Sequence, residues 1–158
     1  MAPQQAISPP PGVYVPVPTF FSSSSKDGAT VSKLYKNRIA TEIQAAHSIH
    51  LAKSGVKGLV LLGSTGESIH LQPAERTTLI SSVRKALNDA DFKKYPIIVG
   101  VLTNSIEDAI EQLQSAKEAG GDYGLVLAPG YFGPGVSQDG IVEWYKIVAD
   151  ASPLPILL

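Results

Sequence analysis

Gly58-Leu-Val-Leu-Leu62 runs directly into Gly63-Ser-Thr-Gly-Glu67, a short apolar run between glycines followed by a polar, turn-forming loop. An unbroken apolar run of this length is the pattern of a strand buried on both faces, as in a parallel sheet covered by helices. Outward from it the chain alternates. Upstream, Val31–Ser54 has helix-compatible composition, with His47, His50 and Leu51 about one turn apart, and Gly55 ends it. Before that, Gly12–Phe21 is β-branched and aromatic enough for a first strand, although its prolines cannot donate ladder hydrogen bonds. A serine-rich, turn-forming stretch, Ser22–Gly28, separates the two. Downstream, Pro73 opens a helix in which Leu79, Val83 and Leu87 repeat at helical spacing to Asn88. Ile97–Val101 is the next strand. Ser105-Ile-Glu-Asp108 resembles a capping box with Asp for Glu, opening a helix with Ile106, Ala109, Ile110 and Leu113 on its apolar face, closed by Gly120 and Gly121. Gly124–Ala128 predicts a fourth strand, Asp139–Asp150 a fourth helix, and Pro155–Leu158 the start of a fifth strand.

This alternation predicts successive right-handed βαβ units and a parallel sheet. Two architectures fit: an open, doubly wound sheet or a (β/α)8 barrel. With 158 residues, length alone favours the open sheet, since a barrel takes about 250 residues.

Composition narrows the function classes. An apolar share of 44% with 17% charged residues is that of an ordinary globular domain. A net charge of −1 supplies no basic footprint for nucleic acid. The chain has no cysteine, so disulfides, thiolate metal sites and a cysteine nucleophile are excluded; a metal site would rest on His47, His50 and His70 alone. No apolar run approaches a membrane span, and residues 1–11 read as a disordered, proline-rich leader without a signal peptide's basic and hydrophobic regions. The first arginine is Arg38, which argues against an arginine-rich transit peptide, so the expected location is the cytoplasm.

In either architecture function gathers where the strands end, after Leu62, Val101 and Ala128. Gly63–Glu67 puts two hydroxyls and several backbone N–H groups beyond a buried strand, a cradle for a carboxylate or phosphate or, equally, a tight turn capped by Ser64 and Thr65. No lysine follows Gly66 as a P-loop requires, no G-x-S-x-G surrounds Ser64, and no G-x-G-x-x-G opens a helix. Glu67 is a candidate general base, though a carboxylate there more commonly fixes its turn. Pro129-Gly-Tyr-Phe-Gly-Pro134 is stiffened at both ends, and Tyr131 could relay a proton or simply pack against a neighbouring loop or subunit. Trp144 and Tyr145 read as core or interface. His47 and His50 lie on the far side from the site, whereas His70 is undecided.

Taken in order, these segments resemble the dihydrodipicolinate synthase / N-acetylneuraminate lyase family of class I, pyruvate-type aldolases. The resemblance is carried by Gly63-Ser-Thr-Gly-Glu67 with Leu71 and Glu75-Arg76, Val99-Gly-Val101 with Thr103-Asn-Ser105, Pro129-Gly-Tyr131 with Pro134, and Pro153-Leu-Pro-Ile156, across residues 12–158. It implies a (β/α)8 TIM barrel of which about the first four βα units and the start of strand five are present, and so reverses the length argument.

It further implies that Ser64 and Thr65 hold the carboxylate of a 2-oxo acid such as pyruvate, with Ser64 also in a hydroxyl relay. Tyr131 matches the tyrosine that enters the partner's site in a tight dimer of the homo-oligomeric family, although Gly130 stands where the family often has a second tyrosine. No cofactor, metal, membrane or nucleic-acid partner is implied. The implied chemistry is Schiff-base catalysis, in which a lysine imine of the 2-oxo acid acts as electron sink for carbon–carbon bond cleavage or formation. In the family the relay tyrosine would come immediately after Leu158 and the lysine on the sixth strand. None of the lysines present, such as Lys53, Lys57 or Lys117, is expected at a strand end, so the 158-residue chain is expected to be inactive alone, with an exposed parallel edge. The alternative is a non-catalytic, oxo-acid-binding or regulatory half-barrel that associates with another subunit. Lys26–Thr41 looks longer than the family's first connection.

Overall fold

The structure, a computed structural model, describes residues 7–22, 39–131 and 133–158. Five strands, β1 (Tyr14–Pro16), β2 (Gly58–Leu61), β3 (Ile97–Val101), β4 (Tyr123–Val126) and β5 (Ile156–Leu157), alternate with four helices, α1 (Thr41–Lys53), α2 (Pro73–Asp89), α3 (Ile106–Glu118) and α4 (Gln138–Ala151). All strand pairs are parallel, and the spatial order β1-β2-β3-β4-β5 is the order in sequence. A doubly wound sheet reverses direction at a switch point. Here each strand is laid beside its predecessor without reversal, as in the wall of a (β/α)8 barrel. The open-sheet alternative therefore fails on topology, and the partial barrel stands.

Alternation along each strand divides two environments. Leu59 and Leu61 of β2 and Ile97 and Val99 of β3 pack with Leu79, Ile80, Val83 and Leu87 of α2 and Ala116 of α3 in the larger core. Val101 and Val126 pack with Ala109 and Leu113 of α3 and Trp144 and Val148 of α4 in a second one. Between these positions Val60 and Leu125 point the other way, toward the concave face. Every residue of β2 and β3 is buried, as expected for strands covered on both sides.

The caps follow from local chemistry. Pro73 occupies the first turn of α2, and the Glu75 carboxylate accepts from the Gln72 N–H at 2.8 Å. Ser105 caps α3, its Oγ accepting from the Asp108 N–H at 3.2 Å. The reciprocal half of that expected box does not form: the Ser105 N–H donates to Thr103 Oγ1, and Asp108 accepts from Gln112 instead. Ser137 caps α4 through the Gly140 N–H. At the opposite end of the sheet Arg84 of α2 clamps three elements, donating to the carbonyls of Gly120 and Tyr95 and pairing with Asp122, whose carboxylate also accepts from the Ile97 N–H.

The first strand and helix differ from expectation. Only Tyr14–Pro16 pairs as a strand, because Pro16 and Pro18 lack ladder donors; Val17 adds one further bond, N–H to Val60 O at 3.1 Å. The first helix begins at Thr41, since Ile39 bridges Phe21 in antiparallel fashion and the Ala40 N–H donates to Phe20 O; residues 31–38 of the expected helix lie outside the described residues. So do residues 26–38 of the long connection and 1–6 of the leader. Residues 7–13 form neither helix nor strand, and the Pro10 carbonyl accepts from the Tyr14 hydroxyl. The buried face of α1 is Gln44, Ser48 and Ala52 rather than its histidines.

Candidate functional site

The loop leaving β2 is built by its own backbone. Leu62, fully buried, takes a positive φ of 60° and turns the chain sharply at the strand end. Two overlapping turns follow, with the Gly66 N–H bonded to Gly63 O at 3.0 Å and the Glu67 N–H to Ser64 O at 3.2 Å. Glu67 is itself left-handed, with φ 53°, and leads into a 3-10 turn, Ser68–His70. Two glycines make this path possible. A Cβ on Gly100 of β3 would sit 2.3 Å from the Leu62 carbonyl oxygen, and one on Gly66 would sit 2.8 Å from the Leu62 nitrogen. The loop is thus folded back onto the ends of β2 and β3.

Ser64 and Thr65 are exposed at the crest. Among the described residues, no acceptor takes the backbone N–H of Gly63, Ser64 or Thr65, and neither hydroxyl has a partner. Five donors in this loop are therefore without an intramolecular partner among the described residues. The two residues line a cavity of about 530 Å³ on the concave face, with Pro16, Val60, Gly63, Leu125–Ala128, Tyr145 and Leu158. Its apolar walls and few polar groups at one end fit a small molecule carrying one anionic end. A smaller recess of about 100 Å³ lies outside the barrel wall between α2 and α3, with Arg76, Asp108 and Gln112 on its lining. It shares Leu62 with the loop but includes neither Ser64 nor Thr65.

Tyr131 stands on the loop after β4, with 81% of its surface exposed and its N–H donating to Asn104 Oδ1 at 3.2 Å. It does not line the cavity of Ser64 and Thr65, so the structure brings together the two cradle residues but not all three expected site residues. Asn104 anchors this loop from the β3 side, its own carbonyl accepting from the Trp144 indole N–H at 3.2 Å. The Glu67 carboxylate does not fix its turn as expected: among the described residues nothing donates to it, and the turn is closed by the Glu67 backbone N–H and carbonyl instead. His47 packs edge-on against Phe20 with ring centroids 5.2 Å apart, His50 is exposed on α1, and His70 is exposed outside the cavity. No group of three or more potential metal ligands occurs among the described residues.

Tyr145 packs against the second core, as expected, and in addition lines the cavity. Its hydroxyl donates to Val126 O at 2.9 Å, and burial pushes its pKa above the ordinary tyrosine value. Its helical position beside Trp144 gives no sign of its contact with the cavity. Among the described residues no lysine lies at the C-terminal end of a strand. Lys57 precedes β2, Lys93 and Lys94 precede β3, and Lys53, Lys85, Lys117 and Lys146 are on helices.

Comparison with known proteins agrees with the fold. Residues 27–158 match the Dihydrodipicolinate synthetase family. The chain is 41% identical over 149 residues to the "probable 4-hydroxy-2-oxoglutarate aldolase, mitochondrial" of Emericella nidulans, covering 94% of this chain and 44% of that protein. It is 40% identical to the L-threo-3-deoxy-hexylosonate aldolase of Aspergillus niger, covering 94% of this chain and 41% of the relative. In structure it is similar to YagE of Escherichia coli K12, a prophage protein of the dihydrodipicolinic acid synthase family solved in complex with pyruvate. That match has a TM-score of 0.74 and 27% identity, and covers 92% of this chain and 43% of the other. The chain thus spans less than half the length of these relatives.

Proposed function

The chain belongs to the dihydrodipicolinate synthetase family, and from that membership we propose that Ser64 and Thr65 receive the carboxylate of a 2-oxo acid. The supporting observation is the row of unpartnered donors at Gly63–Thr65, opening on a largely apolar cavity at the strands' C-terminal ends. Fixed donors in a partly enclosed site favour an anion, and two hydroxyls beside them match the two oxygens of a carboxylate.

The proposed reaction of the whole protein is a Schiff-base aldol cleavage or its reverse. The ketone carbon of the 2-oxo acid forms an imine with a lysine and releases water. Cleavage then passes the proton of the 4-hydroxyl to the hydroxyl relay, breaks the C3–C4 bond and moves its electron pair into the imine, giving a free aldehyde and an enamine. The enamine takes a proton back at C3, and water hydrolyses the resulting imine to free the lysine and the shorter 2-oxo acid. A 4-hydroxy-2-oxo acid is the substrate class we favour, from the names of the Emericella and Aspergillus relatives. Ser64 is proposed as part of the hydroxyl relay. Tyr131, exposed on a loop held by Asn104, is proposed to reach the site of a second subunit in a homo-oligomer. The sequence points to the cytoplasm, whereas the Emericella relative's name says mitochondrial, so fractionation of cells expressing the protein decides the location.

A second reading, an oxo-acid-binding half-barrel without turnover, is favoured by one observation: the described residues place no lysine at a strand end. The direct test of the shared premise is pyruvate titration followed by amide chemical shifts. Saturable shifts at Ser64 and Thr65, lost in the double variant Ser64→Ala/Thr65→Val, are expected. Shifts centred elsewhere, or unchanged binding by the double variant, would refute the cradle.

A further inference from the structure

Three of the cradle's five donors are backbone N–H groups and the other two are hydroxyls carried on the same backbone, so its affinity depends on what holds that backbone in place. Its two internal turns are local. Among the described residues, one side chain anchors it from outside: Thr19, whose Oγ1 donates to the Gly66 carbonyl at 2.6 Å with the residue buried. Gly66 directly follows the two cradle residues, and the position of its peptide fixes where Thr65 ends. The site is also tight, since a Cβ on Gly66 would meet the Leu62 nitrogen at 2.8 Å and the Val17 carbonyl oxygen at 3.3 Å.

Thr19 is itself held from both sides. The Gln44 side chain, completely buried on α1, accepts from the Phe20 N–H at 3.1 Å and donates to the Pro18 carbonyl at 3.2 Å. It therefore grips the backbone on either side of Thr19. Ser48, one turn later, donates to the Gln44 carbonyl at 2.8 Å. A buried glutamine satisfied in this way has little rotational freedom, because any other rotamer would leave buried groups without partners. The resulting path runs from α1 through the exit of β1 to the loop after β2.

We propose that Thr19 is a positioning residue for the oxo-acid cradle, with Gln44 as its support, acting through the Gly66 carbonyl and touching no substrate. The proposal rests on the cradle reading above. Thr19→Val preserves shape but removes the donor, leaving the Gly66 carbonyl buried without its partner. The loop must then shift to satisfy it, carrying Ser64 and Thr65 away from their binding geometry. Thr19→Ser keeps the hydroxyl.

The test is pyruvate titration of the full 158-residue chain by amide shifts, with Kd read from the folded signals alone, so that a change in the folded fraction does not enter. Thr19→Val is expected to weaken binding about tenfold, the scale of one lost buried hydrogen bond, while Thr19→Ser stays within about threefold of the parent. Val83→Ala, a cavity in the larger core at an α2 side chain that makes no hydrogen bond to the loop, is the control for general loosening: it lowers stability and leaves Kd unchanged. Equal Kd values for the parent and Thr19→Val would overturn the proposal, as would equal weakening by Thr19→Ser and Thr19→Val. Should Thr19→Val not fold, Thr19→Ala removes the same hydroxyl without added bulk and carries the same expectation. A parent chain whose Ser64 and Thr65 signals do not respond to pyruvate would overturn the cradle reading itself, and is distinguishable from these outcomes because it needs no variant.

Discussion

Gly100→Ala isolates the contact that makes the loop after β2 possible. The added Cβ would lie 2.3 Å from the Leu62 carbonyl oxygen, 2.6 Å from its carbonyl carbon and 2.7 Å from the Gly63 nitrogen. All three are backbone atoms, so no side-chain rotation relieves the clash. Opening the shortest contact to an ordinary 3.4 Å needs about 1 Å of relative movement between β3 and the loop. Leu62 is fully buried with a positive φ, which leaves it little room to give. Overpacking of this kind costs about 1–3 kcal/mol, and the upper part of that range is expected here. At a urea m-value of about 2 kcal/mol/M, the midpoint falls by about 1 M. Gly63→Ala is the matched control, because its Cβ would meet only a Val60 methyl at 3.9 Å. Urea unfolding followed by circular dichroism, beside pyruvate titration, reads both effects: Gly100→Ala loses stability and cradle affinity, and Gly63→Ala retains stability. Equal midpoints for the two variants would refute the reasoning.

Arg84→Met leaves the Gly120 and Tyr95 carbonyls and the Asp122 carboxylate without their shared donor, and should cost about 2–3 kcal/mol in urea unfolding. Lys85→Met, which breaks only an exposed pair with Asp89, should cost under about 0.5 kcal/mol. Tyr95 and Tyr145 both have pKa values raised by burial, with a smaller contribution at Tyr95 from the neighbouring Tyr14, and each donates its hydroxyl to a carbonyl. A folded-state pKa above the unfolded value of 10.0 gives stability that is complete below that pH and is lost as pH rises through the folded values. Alkaline unfolding monitored by tyrosinate absorbance should therefore show a falling stability above about pH 10, flattened in Tyr95→Phe and Tyr145→Phe; an unchanged alkaline limb in both would contradict this. Asn104→Ala removes the acceptor of the Tyr131 N–H, and amide exchange at Tyr131 should rise while exchange in β3 does not.

The sheet was legible because β2 and β3 are buried on both faces and so are apolar without interruption. Their ends fall within a residue of expectation, and Leu62 leaves the strand only because its φ turns positive. The choice between barrel and open sheet was not legible from periodicity, since both architectures impose the same alternation on each βα unit. Spatial strand order separates them, and the motif resemblance stood in for it. Helix α1 hid its inward face because that face is polar: Gln44 and Ser48 are buried there for hydrogen bonding, which no apolar periodicity can reveal. The Gly63–Glu67 loop proposed as the cradle was visible as a motif, but its contact with Thr19 was not. That hydrogen bond spans 47 positions in sequence, and a threonine just past a proline-broken strand carries no mark of it. Asn104 and Tyr145 escaped for the same reason, each acting on a carbonyl or N–H of a distant strand or loop.

Borohydride reduction in the presence of pyruvate, followed by intact mass, tests the central claim most directly, because it separates holding a 2-oxo acid from reacting with it. The 158-residue chain is expected to shift its Ser64 and Thr65 amides with pyruvate yet gain no mass, while a full-length relative treated in parallel is labelled. A stoichiometric adduct on one lysine of this chain would contradict it, by showing an imine-forming amine where the described strands place none.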